Sequence, residues 1–164
     1  RPDPGRQHDR ARDASLPRAR MRLVDAPGSS FKRADLRQAN FSPTSPGAGG
    51  PGRPVGVSFA EADLSLANLF GTECRVFGLS PGCDFTRATL RGTNLRGIRC
   101  QPQSPNVAAC VFTSADLTGA DLTGAELLSV VLDGVIWSNT TCPDGTNSDA
   151  EDGDGGTCLD NLTP

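Results

Sequence analysis

The sequence predicts an all-β chain wound as a solenoid, and two observations carry that prediction. The first is a period of five: over residues 112–137 a large apolar residue returns at Phe112, Leu117, Leu122, Leu127, Leu132 and Trp137. Two positions before most of these stands a small residue (Cys110, Ala115, Ala120, Ala125), and one position before stands Asp116, Asp121 or Glu126. Such a period matches neither the alternation of a flat strand nor the 3.6-residue turn of a helix, so it argues for a short straight side followed by a corner, repeated. The second observation is composition. Of 164 residues only 36% are hydrophobic and none is Tyr, too little for a thick globular core. It is enough for a narrow one, in which each coil buries a small apolar set against its neighbours. The 19 Gly and 13 Pro supply corners and loops.

The repeat spells A-D/N-L-x-x and resembles the pentapeptide-repeat family. That resemblance implies a right-handed quadrilateral β-solenoid, one pentapeptide to a side, with the Leu or Phe and the preceding small residue pointing inward. A longer period then overlies the short one, since Phe31, Phe59, Phe85 and Phe112 each open a run of five-residue steps. Stacked as one column, these rings rise by about 4.8 Å per coil. Leu36, Leu64, Leu90, Leu95, Leu117 and Leu122 complete the expected core. Loop excursions are expected on the fourth side, at residues 42–57, 75–82 and 101–109.

Three regions follow. Residues 1–28 are an Arg-rich leader or arm, holding seven of fifteen arginines; residues 29–137 are the solenoid; residues 138–164 are a cap. The leader reads either as a solvated tail or, through the alternation of Arg20, Met21, Arg22 and Leu23, as a short strand covering the open end of the solenoid. Arg18, Arg20, Met21, Arg22 and Leu23 are accordingly the candidate residues for self-association.

Six cysteines with no CxxC spacing, and a single His8 far from them, favour disulfides over a metal site and an oxidising compartment, secreted or at the cell surface. They bracket the excursions: Cys74 with Cys83, Cys100 with Cys110, and Cys142 with Cys158. The competing pattern joins stacked positions, Cys74 with Cys100 and Cys83 with Cys110. Bracket pairing is favoured, because equivalent Cβ atoms in adjacent coils would stand about 4.8 Å apart, beyond the ~3.5–4.5 Å a disulfide prefers.

The last stretch, WSNTTCPDGTNSDAEDGDGGTCLDNL, resembles the disulfide-closed C-terminal cap of secreted bacterial pentapeptide-repeat proteins. Asp144, Asn147, Asp149, Asp152 and Asp154 offer the oxygen ligands calcium takes, although their order fails the EF-hand pattern and a solvated acidic loop explains them as well. No other cofactor is expected. Asn139 and Asn161 lie in N-x-T sequons.

Function is constrained by exclusion. The recurring Asp35, Asp63, Asp84, Asp116 and Asp121 are corner formers that bond their own backbone, not acid–base pairs. With no nucleophile motif and no phosphate-cradling loop, an enzyme is not expected. A net charge of −3, interrupted by Arg75, Arg87, Arg91, Arg96 and Arg99, argues against a gyrase-inhibiting DNA mimic of the quinolone-resistance type, the alternative the resemblance raises. The favoured expectation is an extracellular structural or interaction protein: a stiff, stapled rod whose copies associate head to tail into a fibre or surface assembly, with no nucleic-acid partner and no membrane insertion. Residues 1–37 carry ten basic side chains against five acidic, whereas residues 138–164 carry six acidic and none basic.

Overall fold

A five-residue side can close into a coil only if each corner turns sharply, and the turn recurs at the corners after sides 1, 2 and 3. At the first phenylalanine, the Ala34 N–H donates to the Phe31 carbonyl at 3.0 Å while Arg33 takes φ 58°. This is a four-residue turn with its third position in the left-handed region, as in type II. Leu64 to Ala67 and Phe85 to Ala88 repeat the geometry, with Leu66 and Arg87 at positive φ. Between corners the chain is extended and pairs with the coils before and after it.

A computed structural model describes residues 11–20, 28–41, 56–76, 79–101, 106–149 and 156–162. Their pairing is parallel and resolves four columns. Side 1 runs from Ser30 to Ser58 and onward through β1 (Val57–Ser58), β2 (Cys83–Asp84), β3 (Cys110–Val111) and β4 (Val130–Val131), which form one sheet in that order. Side 2 stacks Ser15, Asp35, Asp63, Thr89, Asp116 and Ile136; side 3 stacks Arg20, Asn40, Asn68, Asn94, Asp121 and Thr141; side 4 stacks Glu73, Arg99 and Glu126. The architecture is thus an all-strand solenoid of six successive coils among the described residues. No described residue is helical, so the described residues contain no helix long and apolar enough to cross a membrane.

The residue after each paired one points inward. Phe59, Phe85, Leu36, Leu64, Leu90 and Leu95 are wholly buried, as are small residues two positions before such sites, including Ala39 and Ala115. Phe31, Phe59, Phe85 and Phe112 stack with centroid separations of 5.4, 5.3 and 4.9 Å and interplanar angles of 14° or less. Phe41 on side 3 meets Phe31 and Phe59 edge to face. Where threonine replaces alanine at the small inward site, its hydroxyl is satisfied: Thr93 donates to the Leu64 carbonyl and Thr140 to the Leu117 carbonyl, both at 2.8 Å.

The structure departs from the sequence expectations in two respects. The solenoid does not begin at residue 29 or stop at 137. Residues 11–20, expected to belong to an arm, form sides 2 and 3 of a coil, with Asp35 N–H donating to the Ala14 carbonyl and Leu16 N–H to the Asp35 carbonyl. At the other end Thr141 still pairs with Asp121 and Cys142 is buried, so the repeat runs five residues further. Nor do the excursions occupy the fourth side. Cys74, Cys100 and Leu127 are its inward residues, and the described excursions leave from the corner after it. The strand expected over Arg20 to Leu23 is represented only by Arg20, which pairs with Asn40 inside the stack; Met21, Arg22 and Leu23 lie outside the described residues, as does most of the 42–57 excursion.

Because each ring packs against rings on both sides, Phe85→Ala removes two stacking contacts and leaves a cavity that rigid coils cannot close. We expect a loss of about 3–5 kcal/mol in equilibrium denaturation, with Phe85→Leu costing clearly less.

Candidate interaction surfaces

The outward residues of each side are set by position in the pentapeptide. The Asp or Asn before the inward residue folds back on its own corner: Asp63 Oδ1 accepts from the Ser65 N–H at 3.0 Å, Asp116 Oδ1 from the Thr118 N–H at 3.0 Å, and Asn68 Oδ1 from the Phe70 N–H at 3.1 Å. The other carboxylate oxygen is left for arginine on a neighbouring coil. Arg91 Nε reaches Asp116 at 2.6 Å, Arg96 reaches Asp121 at 3.4 Å, Arg99 reaches Glu126 at 3.3 Å, and Arg33 spans back to Asp13 at 2.6 Å. Burial raises the Asp116 and Asp121 carboxyls, but the Thr118 hydroxyl with Arg91, and the Thr123 hydroxyl with Arg96, outweigh it and hold both below the ordinary carboxylate range. The middle of the rod is therefore a set of locally neutralised rungs.

Four of the six cysteines close the corners between sides 4 and 1, and the other two tie the C-terminal segment to side 3 of the last coil. Cys74 joins Cys83, Cys100 joins Cys110, and Cys142 joins Cys158, and no described cysteine is free. Cys74 and Cys100 stand at the central inward position of side 4, while Cys83 and Cys110 take the small inward position of side 1, one directly above the other. These two bridges thus tie the points where excursions leave to the points where they return. In the first of them the backbone comes so close that a Cβ added at Gly82 would stand 2.5 Å from the Arg75 nitrogen. Among the described residues the three metal-type ligand atoms that converge are the Sγ of Cys74, Cys100 and Cys110, all of them committed to disulfides.

The C-terminal segment folds against the last coil. Thr141 pairs antiparallel with Asn147, the Ser148 N–H donates to the Thr140 carbonyl at 2.8 Å, and Leu162 packs on the core. Of the residues expected as calcium ligands, Asp144 Oδ1 accepts from the Thr146 backbone and hydroxyl and its Oδ2 from Asn161 Nδ2, which lowers its carboxyl. Asn147 Nδ2 donates to Asn139 Oδ1 at 3.0 Å, and its own Oδ1 accepts from the Asp149 N–H. These groups are engaged with the local turn. Asp152 and Asp154 lie outside the described residues, as does His8.

Two exposed apolar groups were not singled out by the sequence reading. Leu66 and Phe70 lie on neighbouring corners of one coil, with Leu66 across Gly92, and Ile136 is 52% exposed at the end of the stack. The signal for Leu66 was its place: leucine at a corner position otherwise given to polar residues or glycine. Charge also has a sharper boundary than the ends alone show, since no Lys, Arg or His follows Arg99 while ten carboxylates do.

A family pattern described as "Pentapeptide repeats" matches eight copies, over residues 10–42, 81–100 and 106–140. The chain belongs to the pentapeptide-repeat family. The match begins where the structure places the first coil. No curated protein matches the chain. Solved structures similar to it include trypsin-treated QnrB1, a plasmid-mediated fluoroquinolone resistance protein, with 14% identity, TM-score 0.43, and coverage of 78% of this chain and 51% of that one. A pentapeptide repeat protein from the Arabidopsis thaliana thylakoid lumen has 22% identity and TM-score 0.30, covering 79% and 66%. Rfr23 from the cyanobacterium Cyanothece 51142 has 23% identity and TM-score 0.30, covering 79% and 82%. The chain spans about half the length of the QnrB1 structure it matches.

Two predictions follow from the rungs and staples. Asp116 and Asp121 release their protons at lower pH in the folded than in the unfolded chain. Their stabilisation is therefore complete above the unfolded value near 4 and is lost as pH falls through the lowered folded values. The melting temperature should be level from about pH 7 to 5 and fall below about pH 4, with a shallower acid limb in Asp116→Asn. Thiol titration of unreduced, denatured protein should find none of the six cysteines, and reduction should destabilise the fold by about 2–4 kcal/mol per staple.

Proposed function

We propose that this protein is an extracellular structural or interaction protein, a disulfide-stapled rod whose copies associate head to tail into a fibre or surface assembly. The observation that carries the proposal is the segregation of charge along the stack. Residues 1–99 hold all 16 basic side chains against nine acidic, and the remainder holds ten acidic and none basic. Each rod is consequently an axial dipole whose positive end attracts the negative end of the next. A heterologous contact of this kind repeats without closing and yields filaments unless its rotation forms a ring. The three disulfides support an oxidising location, since buried staples of this kind persist outside reducing compartments. The C-terminal segment acts as a cap over side 3 of the last coil.

A gyrase-inhibiting DNA mimic is the alternative. It needs a continuous negative face, and the pairs Arg91–Asp116, Arg96–Asp121 and Arg99–Glu126 interrupt the columns that would provide one. Calcium is not needed to order the C-terminal segment, because Asp144 and Asn147 spend their oxygens on the turn.

Two outcomes test this reading. In sedimentation velocity the oxidised protein should associate with rising concentration at low salt and dissociate as ionic strength approaches about 1 M, where the screening length is only about 3 Å; a monomer throughout would overturn self-association. Millimolar calcium and chelator should leave the melting temperature unchanged, and a rise of several degrees with calcium would instead assign the acidic loop to the metal.

A further inference from the structure

Every coil offers the next one the same set of backbone groups. From the second described coil to the third, the Arg33 N–H donates to the Ala60 carbonyl, the Leu36 N–H to the Asp63 carbonyl and the Gln38 N–H to the Ser65 carbonyl, while the Asp63 N–H donates back to the Ala34 carbonyl. In the last coil the equivalent groups are the N–H of Gly134, Trp137 and Asn139 and the carbonyl of Val135, and among the described residues none of these has a backbone partner. The C-terminal segment bonds side 3, through Asn147 and Ser148, and among the described residues it makes no backbone hydrogen bond to sides 1 and 2. At the other end the first coil leaves the matching groups without backbone partners among the described residues: the carbonyls of Arg12, Ser15 and Pro17 and the N–H of Ser15.

Resting on the head-to-tail reading above, we infer that sides 1 and 2 of the last coil receive the first coil of a second copy in the register that continues the solenoid. Gly134 N–H then donates to the partner's Arg12 carbonyl, Trp137 N–H to its Ser15 carbonyl and Asn139 N–H to its Pro17 carbonyl, while its Ser15 N–H donates to the Val135 carbonyl. This reproduces the ladder found inside the stack. The same register sets side chains of opposite sign in one column. Asp133 is exposed, has no ion pair among the described residues, and holds the corner position that Arg12 and Lys32 hold in the first two coils. A docked first coil places Arg12 directly over Asp133. In the same step the part-buried Ala11 would cover the part-buried Leu132, and the part-buried Leu16 would cover Trp137, joining the ends of the two narrow cores. A second copy is the occupant that fits: the edge is a strand edge, it is acidic, and the chain carries the complementary basic edge at the correct spacing.

The test is a charge swap in the full-length, oxidised protein. Asp133→Arg and Arg12→Asp are both exposed changes, and unchanged melting temperatures would show both variants folded. Each variant alone should associate about ten-fold or more weakly than the parent by sedimentation velocity, because its two ends now carry like charge at the contact. An equimolar mixture should recover association, since each variant's last coil then meets the other's first coil with opposite sign. If the parent associates but neither swap weakens it, or if mixing restores nothing, this register is wrong while head-to-tail assembly through another surface stands. If the parent never associates, both fall.

Discussion

Coil-to-coil backbone bonding at a fixed rise is the constraint from which the other features follow. Each side contributes up to three such bonds to its neighbours, such as Phe31 N–H to Ser58 O at 2.7 Å, Arg33 N–H to Ala60 O at 2.9 Å and Asp63 N–H to Ala34 O at 3.0 Å. The ladder must compensate for corners that a polypeptide of L-residues resists. Among the described residues nine that are not glycine sit at positive φ, Arg33, Leu66 and Arg87 included, each at a cost on the order of 1–2 kcal/mol. A net gain near 1 kcal/mol per bond offsets those corners only when several sides stack. An isolated coil is therefore unstable, and the fold exists as a cooperative stack.

Stacking in register also means that every residue lies above the residue at the same position one coil away, often of its own kind, which helps some side chains and threatens others. Phenylalanine gains from the repetition, as the near-parallel rings show. Asparagine gains as well: Asn94 Nδ2 donates to Asn68 Oδ1 at 3.1 Å, passing a hydrogen bond up side 3. Aspartate does not, because like charges about 4.8 Å apart repel. Where Asp35 and Asp63 are adjacent, Arg37 lies close to both, at 2.7 and 3.8 Å. Further along the same column Thr89 separates Asp63 from Asp116. The arginines of the middle coils are thus explained by the column above and below them before any partner is considered.

The fold was legible because its period is short and its inward positions are chemically uniform. What escaped the reading did so for physical reasons that can be named. The first coil was hidden because Ala11 and Leu16 occupy the inward sites among Arg12, Arg18 and Arg20, and the density of charge drew attention from a spacing of twenty to Phe31 and Leu36. Side 4 was hidden because Cys74 and Cys100 fill its inward sites. They follow Leu69 and Leu95 by five, but a cysteine announces a bond before it announces a core position. The candidate surface was only half legible. Charge segregation is a property of sequence, whereas which backbone edges stay open depends on how far the C-terminal segment reaches across the last coil, and no spacing encodes that.

A stack of identical edges has no internal reason to stop, so its ends have to be specified separately. At the C-terminal end the specification is, among the described residues, partial and polar. The disulfide between Cys142 and Cys158 holds a segment that bonds Thr140 and Thr141, and it carries carboxylates that no basic residue balances. If that segment served only to terminate the stack, it would be expected to cover the whole edge, because an uncovered strand edge next to Ile136 and Leu132 invites indiscriminate pairing. Acidic side chains around a partly open edge do something different. In the head-to-tail assembly proposed above they would repel another copy's identical end and admit a basic one, so the charge that limits aggregation would also select the direction of assembly. The arginines of the first coil are then doubly placed: Arg18 is bonded to Gln38 within its own stack, and Arg12, whose one ion pair among the described residues is a 4.0 Å approach to Asp13, stands at the edge.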